Sequence, residues 1–261
     1  MLRSKSKISE ISHAIENEQW DTASFMLNTP EATLVTDSWF QKKSVFTGNI
    51  LLIHLACSIG RVDNGFLQQL LRKNPDSIQK KETGYGRLPL HVAIRAKAPD
   101  SIILYLLNEF PKAASVQDAM GRVPLHYACS NKASQSVIVS LIQACPSSLY
   151  ANDNAGGWTP LHVAVNIGAG EMTIRTIIET APDTVLLKTS KGNTPKQCCR
   201  DSNIVNILEA AEIKFDSKPE FRNISSAEEQ EQLYPSRQLT DLSKPITILK
   251  TKRNESFRHV S

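Results

Sequence analysis

The sequence predicts an all-α fold: a solenoid of about six stacked helix–turn–helix units joined by extended fingers, with a disordered C-terminal tail. Three observations carry this. First, one short phrase returns about every 35 residues: G-N-I-L-L-I-H-L-A from Gly48, G-R-L-P-L-H-V-A from Gly86, G-R-V-P-L-H-Y-A from Gly121, G-W-T-P-L-H-V-A from Gly157 and a decayed G-N-T-P-K-Q-C-C from Gly192. A fixed period of this size is the mark of stacked repeats. Second, each phrase is followed by an apolar run at helical spacing and then a proline. Third, the repeat stops and the composition changes near Asp216.

The elements follow in chain order. Residues 1–7 form a basic N-terminal segment, with Arg3, Lys5 and Lys7 and no apolar stretch of the kind a secretory signal needs. The repeat domain spans 8–214, with units at 8–38, 48–83, 84–118, 119–153, 154–189 and 190–214. The first unit is an atypical cap, with helices over Ile8–Ile15 and Trp20–Leu27, as expected where one face meets water. Between Pro30 and Asn49 the first finger is longer than the others. It carries Trp39, Phe40 and Phe46 beside Gln41, Lys42 and Lys43, and over 33–47 it either contacts a partner or folds back on the first units.

In the central units Pro89, Pro124, Pro160 and Pro195 begin the first helix, where a fixed φ is helical and the missing N–H has no helical partner. Gly86, Gly121, Gly157 and Gly192 stand three residues earlier, where a tight turn wants positive φ. Leu90, Leu125 and Leu161 with Ala93, Ala128 and Ala164 make an i, i+3 apolar stripe. Second helices are read over Phe66–Leu71, Ile102–Leu107, Val137–Ile142 and Ile174–Ile178, stopped by Pro75, Pro111, Pro146 and Pro182. The last cap lies at 191–214, where Lys196 and Gln197 replace Leu and His.

Pro-Leu-His-x-Ala stands complete at Pro89–Ala93, Pro124–Ala128 and Pro160–Ala164. The chain thereby resembles the ankyrin-repeat family, whose signature is T-P-L-H-x-A, over about four fifths of its length. The resemblance implies a non-enzymatic protein-binding module that uses finger tips and the concave face of the first helices. It also implies that His54, His91, His126 and His162 are hydrogen-bonded between neighbouring units. The family's Thr stands at Thr159 and Thr194 but is replaced by Leu88 and Val123, so the Thr–His bond is not implied in those two units. One extra residue between the helices and one in the finger depart from the family pattern, and small loop insertions cost little.

Several function classes are excluded on composition. The histidines recur once per unit rather than converging at the close spacing a zinc site needs. There is no phosphate-binding glycine loop and no G-x-S-x-G, so no enzyme, cofactor or metal is expected. Five cysteines, an odd number, point to a reducing compartment. Residues 8–215 balance 19 basic against 19 acidic side chains, without the basic stripe of a nucleic-acid binder. No apolar run approaches a membrane span. The expectation is a monomeric intracellular protein, cytoplasmic or nuclear.

The binding face is sought where the copies differ. The position after the motif Gly holds Arg87, Arg122, Trp158 and Asn193. Exposed first-helix positions include Arg95, Ser130, Asn131, Asn166 and Ile167, and Tyr127 stands between two valines. Finger tips are placed at Glu82, Tyr85, Gln117, Met120, Asp153, Lys188 and Lys191. The expected contact set is Tyr85, Arg87, Arg95, Met120, Arg122, Tyr127, Asn131, Trp158 and Asn166, holding an acidic or polar segment of another protein. Arg, Tyr, Trp and Met are the types enriched at interfaces. An adaptor or scaffold follows. The alternative is a regulatory or inhibitory protein controlled through its tail.

The tail, 215–261, is rich in Ser, Thr and charged residues and offers too little apolar surface to offset ordering. Each of its four arginines has Ser or Thr three residues later, which resembles a basophilic-kinase preference and nominates Ser225, Thr240, Ser256 and Ser261 for phosphorylation.

Overall fold

The structure, a computed structural model, describes residues 2–29, 36, 38–41 and 48–216. The predicted tail and its four phosphorylation candidates lie outside the described residues, except that the last helix runs to Asp216.

Twelve α-helices are described: α1 Leu2–Glu16, α2 Trp20–Leu27, α3 Leu52–Ser58, α4 Asn64–Lys73, α5 Pro89–Arg95, α6 Asp100–Glu109, α7 Pro124–Ser130, α8 Gln135–Ala144, α9 Pro160–Ile167, α10 Glu171–Thr180, α11 Pro195–Cys198 and α12 Ser202–Asp216. They pair as α1 with α2 through α11 with α12, one pair per unit. First helices pack in series, α1 on α3, α3 on α5, α5 on α7, α7 on α9 and α9 on α11. Each unit touches its neighbours, so the fold is a solenoid. Its apolar core is one continuous row, from Ile11 and Ile15 through Leu55, Leu90, Leu125 and Leu161 to Leu208. The buried motif alanines Ala93, Ala128 and Ala164 let adjacent first helices approach closely.

Two boundaries differ from the sequence reading. The first helix begins at Leu2 rather than Ile8, because nothing between Arg3 and Lys7 breaks a helix, so these basic residues belong to its opening turns. The prolines after the second helices do more than stop them. Each opens a five-residue 3₁₀ turn: Pro75–Gln79, Pro111–Ser115, Pro146–Tyr150 and Pro182–Leu186. The preceding residues Asn74, Phe110, Cys145 and Ala181 share a φ between −141° and −151°, as expected where a following proline disfavours the α region. Each turn buries an anchor: Ile78, Ala114, Leu149 or Val185.

The insertion folds back where it is described. Phe40–Gln41 (β1) pairs antiparallel with Asn49–Ile50 (β2), with Phe40 opposite Ile50. Phe40 packs on the core, and the Asn74 side-chain amide donates to the Thr36 carbonyl at 3.2 Å. Trp39 stays partly exposed, its ring 6.3 Å from that of His54.

Candidate functional site

The repeated histidine organises each unit. The N–H of Leu51, Leu88, Val123 and Thr159 donates to Nδ1 of His54, His91, His126 and His162, at 3.2–3.3 Å. With Nδ1 accepting, the proton sits on Nε2. That nitrogen donates onward to the carbonyls of Lys80, Val116, Trp158 and Asn193 at 2.9–3.1 Å. One ring therefore caps its own helix and ties it to the chain leading into the next unit. Burial pushes His54, His91 and His126 down to about 4 and lowers His162 too. Thr159 adds a hydroxyl bond to His162 Nδ1 at 2.8 Å, which Leu88 and Val123 have no group to make.

The fingers are built by a second repeated device. Glu82 accepts from the N–H of Gly84 and Tyr85, Asp118 from Met120 and Arg122, and Asp153 from Gly156 and Trp158. Thr189 does the same for Asn193. Successive fingers are then stitched by single backbone bonds: Thr83 N–H to Asn49, Ala119 to Tyr85, Asn154 to Met120 and Ser190 to Gly156.

This device corrects several expected contacts. Glu82 and Asp153, read as finger tips, are buried. Arg87 is 3% exposed; its Nε donates to Glu82 at 2.9 Å, and its guanidinium lies 4.6 Å from the Tyr85 ring centre. Burial alone would raise the Glu82 carboxyl, but Arg87 and the backbone donors hold it below its ordinary value. Arg87 is thus a brace, not an open contact. Asn131 is half-buried and donates to the carbonyls of Ile94 and Arg95 at 2.7 and 3.2 Å, tying the fourth unit to the third. The Tyr127 hydroxyl donates to Asp118 at 2.5 Å, and its ring meets His91 edge-on at 5.9 Å. Burial, then Asp118, push that phenol up.

The remaining candidates stay accessible. Tyr85 is 41% and Met120 36% exposed, at equivalent finger positions of adjacent units. Arg95 and Asn166 are exposed at equivalent first-helix positions. Arg122 keeps 38% of its side chain in solvent while lying 3.4 Å from the Asp153 carboxylate. Trp158, half-buried, stands over Gly156, where an added Cβ would come within 2.8 Å of the indole. Arg122, Trp158 and Asn166 meet in one open cleft of about 290 Å³, with Ser130, Val163 and Ile167 also in its wall. Ile167 is 44% exposed, large for an isoleucine at the end of a packed helix. Lys97 and Lys132, which the sequence reading passed over, are exposed at one repeat position with φ of 55° and 54°, where Gly60 and Gly168 stand in neighbouring units.

Among the described residues no group of His, Cys, Asp and Glu side chains could hold a metal ion, and no helix is long and apolar enough to cross a membrane. Burial pushes the Cys57 and Cys129 thiols up to about 12, away from reactivity.

The structure is a row of helix pairs joined by fingers, with its histidines turned to structural use and with Arg122, Trp158 and Asn166 open in one cleft. Residues 53–145 match the family model for ankyrin repeats, in three copies, and this match supports an ankyrin-repeat protein. Ankyrin repeats are protein–protein interaction modules and are typically non-enzymatic. No curated protein matches the chain.

Proposed function

We propose that this protein is a non-enzymatic adaptor or scaffold that holds a partner protein against the face formed by its first helices and fingers. The observation that carries the reading is the cleft of Arg122, Trp158, Val163, Asn166 and Ile167. It places apolar groups, half-buried or exposed, beside a partly exposed guanidinium at the positions where the repeat copies diverge. Aromatic and arginine side chains in such a setting are the types that dominate binding energy. The open Tyr85 and Met120 extend the same surface along the fingers.

The test is affinity capture from native cell extract with the full chain and with an Arg122→Glu, Ile167→Asp double variant. Both side chains are partly solvent-exposed, but the charge reversal sets a carboxylate against the buried Asp153, so capture is run well below the thermal transition measured for each chain. A partner retained by the parent and lost by the variant supports the reading. A partner that binds both equally places the contact elsewhere. Regulation through Ser225, Thr240, Ser256 or Ser261 is a second proposal. Native-protein mass spectrometry that finds none of them phosphorylated removes it.

A further inference from the structure

The exposed C-terminal ends of the first helices carry a gradient of chemistry along the stack. Superposing the motif makes Arg95, Ser130 and Asn166 equivalent, likewise Ala96, Asn131 and Ile167, and likewise Lys97, Lys132 and Gly168. These positions therefore form rows that cross the units side by side. In the third and fourth units the rows present Arg95, Lys97 and Lys132, all exposed. In the fifth they present Ile167 with Val163 and Trp158 beside it. One end is cationic and the other apolar.

The cations are free to be used. Among the described residues Arg95, Lys97 and Lys132 enter no ion pair. Of the nearby acids, Asp153 faces Arg122, Glu171 faces Arg175 at 2.7 Å, and Asp100 accepts from Ser136 at 3.2 Å. Lys97 and Lys132 also hold a left-handed backbone that a non-glycine residue seldom adopts. Their loops are kept in register by the Asn131 side chain, which bonds across to Ile94 and Arg95.

We propose that the partner segment is an extended chain with one apolar side chain seated against Trp158, Val163 and Ile167 and with carboxylates lying over Lys132 and then over Arg95 and Lys97. This rests on the reading that the first-helix face is the binding surface. Packed helices lie about 8–10 Å apart and an extended chain advances about 3.3 Å per residue, so one unit corresponds to about three residues of ligand. The carboxylates accordingly stand about three and about six residues from the apolar anchor. Arg122, inside the cleft and partly offset by Asp153, donates to a polar acceptor next to the anchor.

The experiment uses the full chain and fluorescent Ser/Thr-based peptides carrying one Leu, with carboxylates at those spacings on either side of it. Controls have Leu→Ser, have Asp→Asn, or keep the same composition with every carboxylate adjacent to the Leu. Fluorescence anisotropy should show the spaced peptide, in one of its two directions, binding about tenfold or more tighter than each control. Its affinity should fall with added salt, because exposed charges are screened. Lys97→Gln with Lys132→Gln should reduce that salt dependence, Arg95 being left in place, while leaving the Asp→Asn peptide unchanged, and Ile167→Asp should weaken both. Equal affinity for spaced and clustered carboxylates, or no peptide binding at all, overturns the inference. If the Arg122→Glu, Ile167→Asp chain still loses its captured partner, only the segment's chemistry was wrong. If capture is also unaffected, the binding face itself was wrong.

Discussion

The central units and the terminal ones place different side chains at the same repeat position, and those side chains do different work. At the start of α5, α7 and α9 an imidazole accepts the N-cap amide and donates to the chain ahead. At the start of α11 Gln197 takes its place, its Oε1 accepting the Thr194 N–H at 2.8 Å, with no onward bond among the described residues. In α1 Ser12 bonds back to the Ile8 carbonyl within its own helix. A ring with two opposed nitrogens is useful only where there is a further finger to reach. The sixth unit has none in the described chain, and a one-ended amide suffices. The repeat motif is therefore a joint between units as much as a signature of each one.

The largest way to break the contrast is acid. His54, His91 and His126 are neutral in the folded chain down to about 4, whereas in the unfolded chain they protonate below about 6.5. Between these values the unfolded state binds more protons, so stability is full above pH 6.5 and falls as pH drops towards 4. The loss is on the order of 3 kcal/mol per ring. Urea titrations at stepped pH should show it, and a chain lacking one of these histidines should show a shallower slope.

Next comes a direct comparison of joints. His126→Ala leaves the Val123 N–H and the Trp158 carbonyl buried without that partner, and should cost about 3–4 kcal/mol in denaturant unfolding. Gln197→Ala should cost about 1 kcal/mol or less, since one more exposed bond is lost. Equal costs would dissolve the distinction between centre and end. A finer probe is Thr159→Val, which copies the fourth unit's Val123 into the fifth and removes the hydroxyl bonds to His162. About 1 kcal/mol is expected, read as a shift in midpoint without a change in m. The smallest is Gly168→Lys, which gives the fifth unit the residue of the third and fourth. Its φ of 66° is strained for a side chain while nothing stands within 4 Å of the new Cβ, so roughly 1 kcal/mol or less should be lost.

The stack was legible in the sequence because its core obeys two simple periods, the helical stripe within a unit and the unit itself. Leu90, Leu125 and Leu161 announce both. The 3₁₀ turns were not legible, because five residues are too short to show periodicity and a proline after a helix reads first as a stop. The role of Glu82, Asp118 and Asp153 was missed for another reason: a polar residue before a glycine turn looks like a surface group, whether it captures backbone amides or faces water. Their recurrence at the repeat period was the available signal. Arg87 and Arg122 show the limit of positional equivalence. They occupy one repeat position, yet a Glu beside the first buries it while the second keeps part of its guanidinium open. Which of two equivalent arginines can meet a partner depends on side-chain neighbours from other parts of the finger.

The inert thiols have a practical corollary. Cys57 and Cys129 sit fully buried in the second and fourth units, while Cys198 and Cys199 lie half-buried in the sixth. A thiol reagent added to the native chain should modify the sixth unit first and reach Cys57, Cys129 and the likewise buried Cys145 only when their units open. The order and speed of labelling then serve as a clock for each segment of the column. They would show whether it comes apart from one end or all at once, with no foreign probe introduced.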